Sequence, residues 1–149
     1  TPYIDIQIID KLEAIARASA DTAKALMGDA RVALLSFSTG TSGAGDSVDL
    51  VRSVAEATGF AGPIQADAAL NTTIAAKKGL GSGDANVLVF PSLDAGNIAY
   101  KLCQELAGAQ AIGPFLQGFA RPVCDLSRGA TMDDIVASTL VTITLAQQS

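Results

Sequence analysis

Two kinds of apolar pattern alternate along this chain. Short, nearly continuous apolar runs bounded by Gly, Pro or Asp are typical of strands buried on both faces of a sheet. Between them, apolar residues recur every three or four positions, as on one face of a helix. This alternation predicts an α/β fold, a three-layer sandwich around a largely parallel sheet. The predicted strands are residues 31–39, 63–67, 86–91, 109–118 and 121–126, and the predicted helices are residues 11–28, 46–59, 67–79, 95–108 and 131–147.

Glycines and small polar residues mark the ends of several predicted helices. Gly28 and Gly59 follow the first two helices, where glycine readily adopts the left-handed conformation that ends a helix. Asp46 or Ser47 is expected to cap the start of the second helix, and Asp94 the start of the fourth.

Length and composition set limits on size, assembly and compartment. The 149 residues predict a single domain, residues 1–149, with a core of its own. Hydrophobic residues make up 49% of the chain and the mean hydropathy is +0.36. This exceeds what a monomer's surface needs, so we expect a homodimer. Cys103 and Cys124 are expected to be free thiols, with Cys103 in the core.

No apolar run approaches the length of a membrane span, and no signal peptide opens the chain. We therefore expect a cytoplasmic protein with no membrane partner. The net charge of −5 and the scattered basic residues argue against a nucleic-acid binder. The chain contains no histidine, so it cannot build Ser-His-Asp or Cys-His catalysis or a histidine-based metal site. We expect neither a metal ion nor a bound cofactor.

Three polar loops of small residues follow predicted strands, at residues 38–46, 91–97 and 125–134. Ligands of α/β proteins bind beyond the carboxyl ends of the strands, where such loops lead into helices. The first loop lacks the nucleotide-binding fingerprints, and it is either an anion pocket at a helix start or a flexible connection. The substrate contacts predicted from these loops are Ser38, Thr39, Thr41, Ser42, Gly43 and Asn97.

The third loop allows a structural and a chemical interpretation. Thr131 and Asp134 have the spacing of a capping box ahead of the last helix, which explains Asp134 without chemistry. Ser127 and Arg128 lie upstream of this cap and are left unexplained. An arginine in this place can meet an anion docked at the helix start. The residues alone leave both interpretations open.

Four ordered motifs closely resemble the phosphate acetyl/butyryl transferase family. They are "LLSFST" (34–39), "ANVLVFPSLDAGNIAYKL" (85–102), "AIGPFLQG" (111–118) and "DLSRG" (125–129) followed by "DDI" (133–135). The resemblance runs from roughly Lys11 to Gln147. It implies reversible transfer of an acetyl group between acetyl phosphate and coenzyme A, with coenzyme A as a substrate. It also implies that the chain is the second of two α/β domains, with a fold like that of isocitrate and isopropylmalate dehydrogenases and with the N-terminal domain absent.

The resemblance assigns the catalytic serine and arginine to Ser127 and Arg128, and the proposed base to Asp134. Two positions depart from the family's pattern, because residues 39–43 lack a lysine that is common there and Ser92 replaces a common acid. Two other functions stay open. Some malic enzymes carry a related C-terminal domain that senses acetyl-CoA without chemistry, and some family members transfer butyryl groups.

Overall fold

A parallel sheet between two layers of helices forms the centre of the molecule. The structure is a computed structural model that describes residues 6–148, with side chains over residues 11–147. Its helices are α1 (Ile6–Met27), α2 (Asp46–Thr58), α3 (Ala66–Leu70), α4 (Thr72–Lys78), α5 (Leu93–Ala107) and α6 (Met132–Gln148). Its strands are β1 (Val32–Leu35), β2 (Ala61–Ile64), β3 (Val87–Val89), β4 (Phe115–Leu116) and β5 (Val123–Cys124).

Strand β1 lies in the middle of the sheet, between β2 and β3, and pairs with both in parallel. All four of its side chains are buried, as expected of a strand covered on both faces. Because consecutive side chains point to opposite faces, Val32 and Leu34 pack with α1 and α2. Ala33 and Leu35 pack with α3 on the other face. The predicted α/β fold and its three layers are confirmed.

The predicted strands 109–118 and 121–126 do not join this sheet. Only short parts of them, β4 and β5, are strands, and they form a separate antiparallel ribbon. Gly113, Pro114 and Gly118 interrupt the first run, since glycine and proline weaken regular strand pairing. The apolar composition of these runs was therefore not a sign of burial in the sheet.

Several helix ends differ from the prediction. The helix expected over residues 67–79 is two helices, because Asn71 lies between them and its side chain caps α4 by accepting from two backbone N–H groups. Neither Asp46 nor Ser47 caps α2; the N-cap position is Gly45, without a side-chain bond. Ser92 rather than Asp94 caps α5, and its hydroxyl accepts from the Ala95 N–H.

Other local predictions are confirmed. Gly28 and Gly59 have positive φ values of 84° and 74° and follow α1 and α2, with N–H groups that close the last helical turns. Both cysteines are free, but Cys103 is exposed on α5 rather than buried in the core. Among residues 6–148, no helix is both long and apolar enough to cross a bilayer.

Candidate active site

The loop after β1, residues 36–45, is held by its own hydroxyl groups. The buried Ser38 hydroxyl accepts from the Gly43 N–H at 2.8 Å and lies 3.2 Å from the Ser42 hydroxyl. The Ser42 hydroxyl also accepts from the Thr39 N–H at 2.9 Å. A Cβ atom on Gly43 would lie 2.9 Å from the exposed Phe37 ring and 3.1 Å from the Ser38 Cβ, so a larger residue would displace this ring and press on Ser38. Hydrogen bonds within the loop thus hold its shape. This differs from the flexible connection that was one of the two interpretations of the sequence.

A second set of contacts ties this loop to the residue that follows β2, the strand beside β1. The buried Thr39 hydroxyl accepts from the Gln65 N–H at 3.1 Å and lies 3.2 Å from the Gln65 Oε1. The Lys78 ammonium donates to the same Oε1 atom and to both oxygens of Asp67, each at 2.8–2.9 Å. The hydrogen bond from Lys78, the largest cause, lowers the pKa of Asp67, and partial burial opposes it. Thr39 and Lys78 are therefore linked through the Gln65 side chain, to which both donate.

Thr41 is the loop residue whose hydroxyl is left available. It is exposed and makes no side-chain hydrogen bond with the described residues. Together with Gly40 it lines a groove of about 320 Å³, whose other walls include Arg52, Glu56 and Leu80. The adjacent start of α2 carries no side-chain cap, so N–H groups of its first turn remain available to an acceptor.

Ser127 and Arg128 open a tight turn between β5 and α6. The Ala130 N–H donates to the Ser127 carbonyl at 3.0 Å, and the Gly129 N–H lies 3.3 Å from the Ser127 hydroxyl oxygen. This geometry uses the serine oxygen as an acceptor and leaves its O–H free to donate. Arg128 is exposed and makes no ion pair or side-chain hydrogen bond with any described residue.

Asp134 completes the capping box at the start of α6. Its Oδ2 accepts from the Thr131 N–H at 2.9 Å and from the Thr131 hydroxyl at 2.8 Å, while its own N–H donates to that hydroxyl. Gln110 donates to Oδ1 at 3.1 Å. The Thr131 N–H, then Gln110 and the Thr131 hydroxyl, lower the pKa of Asp134, and partial burial opposes them. Hydrogen bonds to a carboxylate stabilise its charged form, so Asp134 is a weaker base than an ordinary aspartate.

The predicted site residues fall into separate groups in this structure. Because β1 and β3 are parallel neighbours, the loops that follow them lie at one edge of the sheet. Asn97, on the exposed side of α5, follows the second of these loops. Ser127, Arg128 and Asp134 lie beyond the ribbon, and among the described residues no hydrogen bond or ion pair joins them to residues 38–43.

Sequence reasoning missed Gln65, Lys78 and Gln110, the side chains that support the candidate residues from elsewhere in the chain. Gln110 lies 24 residues from Asp134, and Gln65 lies 26 residues from Thr39. No local pattern could have revealed these pairs, because each forms only when distant segments of the chain pack together. Within residues 11–147, no group of three or more His, Cys, Asp and Glu side chains could hold a metal ion.

The fold and the candidate residues together define an α/β domain with polar loops beyond its strands and a free arginine near a helix start. The family model for phosphate acetyl/butaryl transferase matches residues 9–143. The chain belongs to this family.

Comparison with individual proteins agrees with this family membership. The chain is similar to the phosphate acetyltransferase of Clostridium acetobutylicum, with 46% identity over 93% of this chain and 45% of that protein. It shares 48% identity with the phosphate acetyltransferase of Corynebacterium glutamicum, over 89% of this chain and 44% of that protein.

Solved structures show the same likeness in three dimensions. The phosphotransacetylase from Streptococcus pyogenes matches with a TM-score of 0.87 and 41% identity, over 95% of this chain and 46% of that one. The EutD phosphotransacetylase from Staphylococcus aureus matches with a TM-score of 0.84 and 42% identity, at the same coverage. The chain thus spans less than half the length of the relatives it matches.

Proposed function

We propose that the protein containing this chain transfers an acetyl group reversibly between acetyl phosphate and coenzyme A. The observation that carries the proposal is the free guanidinium of Arg128. By contrast, Arg17, Arg31 and Arg52 are all paired with carboxylates. Arg121 is also exposed and unpaired among the described residues, but it precedes β5, whereas Arg128 lies next to Ser127 and close to the start of α6. An unpaired arginine can bind a phosphoryl group through two parallel hydrogen bonds. Family membership and the names of the relatives support acetyl phosphate as the source of that group.

In the proposed reaction, the sulfur of coenzyme A attacks the acetyl carbonyl carbon. The new C–S bond forms, the C–O bond to phosphate breaks, and inorganic phosphate leaves. Arg128 binds the phosphoryl oxygens and stabilises the charge that develops on the leaving group. The free O–H of Ser127 donates a hydrogen bond to the sulfur or to the developing oxyanion.

Asp134 is the proposed acceptor of the thiol proton. Reference pKa values are about 3.9 for aspartate and about 8.5 for a thiol, and the hydrogen bonds on Asp134 lower its pKa further. Complete proton transfer before attack is therefore strongly uphill. We propose that the proton moves as the C–S bond forms, so that the free thiolate is never fully developed.

The loop after β1 supplies the proposed substrate contacts on this side of the site. Ser38, Thr39, Ser42 and Gly43 keep the loop in shape through their hydrogen bonds and close packing. The Thr41 hydroxyl and the Asn97 amide, both exposed, contact the substrate directly. Polar groups that are already hydrogen-bonded hold the loop in shape, and the unbonded ones are free to bind the substrate.

We also propose that the chain is the second of two α/β domains and that the site lies in the cleft between them. Coenzyme A acts as a substrate, and the chemistry above needs neither a metal ion nor another cofactor. The proposed partners are acetyl phosphate, coenzyme A and a second copy of the protein, with no nucleic acid or membrane. Coenzyme A and the two free thiols suit the cytoplasm, where thiols stay reduced.

Substitution of Arg128 in the complete protein tests the proposal. Arg128→Ala should lower the rate of thioester formation more than about tenfold, because one charged contact to the leaving group is lost. Arg17→Ala is the matched control, since Arg17 is also exposed but is paired with Glu13. A coupled assay of acetyl-CoA formation measures both. Equal rates for wild type and Arg128→Ala would contradict the proposed function.

A further inference from the structure

Helix α5 carries an apolar surface that nothing in the described structure covers. Ile98, Leu102 and Leu106 are spaced four residues apart and are 60%, 52% and 81% exposed. Residues at this spacing lie along one side of a helix. We call these three residues the α5 face. No residue of α5 is buried, so the helix contributes little to the core of its own domain.

We propose that a second copy of the chain covers the α5 face, with the two α5 helices packed antiparallel around Cys103. The proposal rests on the proposed homodimer and names its surface. Lys101 and Glu105 carry the first argument. At about 100° per residue, both lie on the same side of the α5 face, and Cys103 lies on the opposite side.

In a symmetric antiparallel pair, each flank of one helix meets the same flank of its partner. A flank with one cation and one anion four residues apart is complementary to itself in this arrangement. Lys101 then faces the partner's Glu105, and Glu105 faces the partner's Lys101. Two ion pairs form from one short stretch of sequence.

The spacing of the apolar residues gives a second, independent argument. Residues four apart rise about 6 Å along a helix axis. In the dimer, the apolar side chains of one α5 face fit between those of the other. They alternate evenly along the helix axis, about every 3 Å, when the two-fold symmetry axis passes the helix near residue 101 or residue 103. An axis at residue 101 sets Lys101 against its own copy, which is repulsive. An axis at Cys103 gives both ion pairs, so charge selects between the two packings.

Exposure of the α5 face makes the proposal testable without unfolding the protein. Leu102→Glu places a charge in the centre of the interface and should weaken dimerisation more than about tenfold. Leu93→Glu is the matched control, because Leu93 is also exposed on α5 and points about 180° away from Leu102. Sedimentation equilibrium of the purified chain measures both, and circular dichroism checks that each variant is folded.

Sedimentation of the wild type tests whether the chain dimerises, and the variants test whether the α5 face is the interface. A wild-type chain that sediments as a monomer overturns the homodimer and the surface together. A dimer that Leu102→Glu leaves intact overturns the surface alone. Loss of the dimer with Leu102→Glu but not with Leu93→Glu supports the α5 face.

Charge reversal tests the antiparallel arrangement itself. Lys101→Glu and Glu105→Lys should each weaken the dimer about tenfold, since each replaces two exposed pairs by repulsions. The double variant restores both pairs in reversed order and should dimerise as the wild type does. A double variant as weak as the single ones would contradict the arrangement.

Cys103 reports the position of the symmetry axis. A short bis-maleimide should link two chains through Cys103 and give a covalent dimer on a denaturing gel. Cys124→Ser should keep this product and Cys103→Ser should lose it. Cross-linking that persists in Cys103→Ser would overturn the predicted axis.

Discussion

Asp134 shows how one carboxylate can take part in two kinds of interaction. Its Oδ2 is bonded to the backbone and hydroxyl of Thr131, which stabilises the start of α6. The same bonds lower its pKa and so weaken it as a proton acceptor. The structural and chemical interpretations of this residue are therefore not exclusive, but they predict different results for different substitutions.

Thr131→Ala and Asp134→Asn distinguish the two roles of the capping box. Thr131→Ala removes the capping hydroxyl and should cost about 1 kcal/mol of stability. Turnover should change little, because the two larger causes of the lowered pKa of Asp134, the Thr131 N–H and Gln110, remain in this variant. Asp134→Asn removes the proposed proton acceptor at nearly constant size and should lower turnover about 100-fold. Thermal unfolding and the coupled assay, both in the complete protein, measure the two effects.

Thr139→Ala is the control for this pair of variants. Thr139 lies within α6, and its hydroxyl bonds only to the Ile135 carbonyl of its own helix. We expect little change in stability or rate. If Asp134→Asn lowered the melting temperature and left turnover unchanged, Asp134 would be a capping residue alone.

Among the elements, the helix boundaries show where local patterns suffice. The glycines that end α1 and α2 were predicted from the sequence, because a helix end needs one residue of positive φ at a known place. The N-caps of α2 and α5 were predicted at the wrong residues. Aspartate and serine are both favoured N-cap residues, and they stand close together at the start of each helix. The residue types alone therefore do not identify which position is the N-cap.

The pair α3 and α4 supports the loop after β1 through Lys78. The lowered pKa of Asp67 means that its charged form is stabilised in the folded state. This stability is present above the unfolded pKa of about 3.9 and is lost as the pH falls through the lower folded value. Charged Asp67 therefore contributes to the free energy of unfolding at neutral pH and not in strong acid.

Lys78→Met tests this contribution. The variant should unfold at lower urea concentration than the wild type at pH 7, because it lacks the bonds to Asp67 and Gln65. The difference should shrink in acid, where Asp67 is protonated in both proteins. Lys77→Met is the matched control, since Lys77 makes no ion pair with the described residues. A difference independent of pH would rule out Asp67 as its source.

At the scale of the whole molecule, the chain resembles part of a larger protein. It covers 45% of the Clostridium acetobutylicum relative, and α6 exposes several large apolar side chains that the proposed dimer does not cover. The proposed cleft needs groups from a second domain, because Ser127 and Arg128 lie on an open turn with no wall opposite them among the described residues.

We therefore expect the 149-residue chain alone to show at most a trace of acetyl transfer. The catalytic groups would lack the closed, oriented surroundings on which such chemistry depends. The coupled assay on the isolated chain, compared with the complete protein at equal concentration, measures this. Circular dichroism confirms that the isolated chain is folded. Turnover comparable to that of the complete protein would contradict a site shared between two domains.

The amino-acid sequence by itself determined the α/β class, most helix positions, the capping box of Thr131 and Asp134, and the exclusion of histidine chemistry. These depend on residue types and on spacings of a few positions, which are visible along the chain. Only the tertiary structure decided that the last two strands form a separate ribbon, that Cys103 is exposed, and that Lys78 and Gln110 support the candidate residues. These depend on which distant segments pack together, and a local pattern carries no information about that choice.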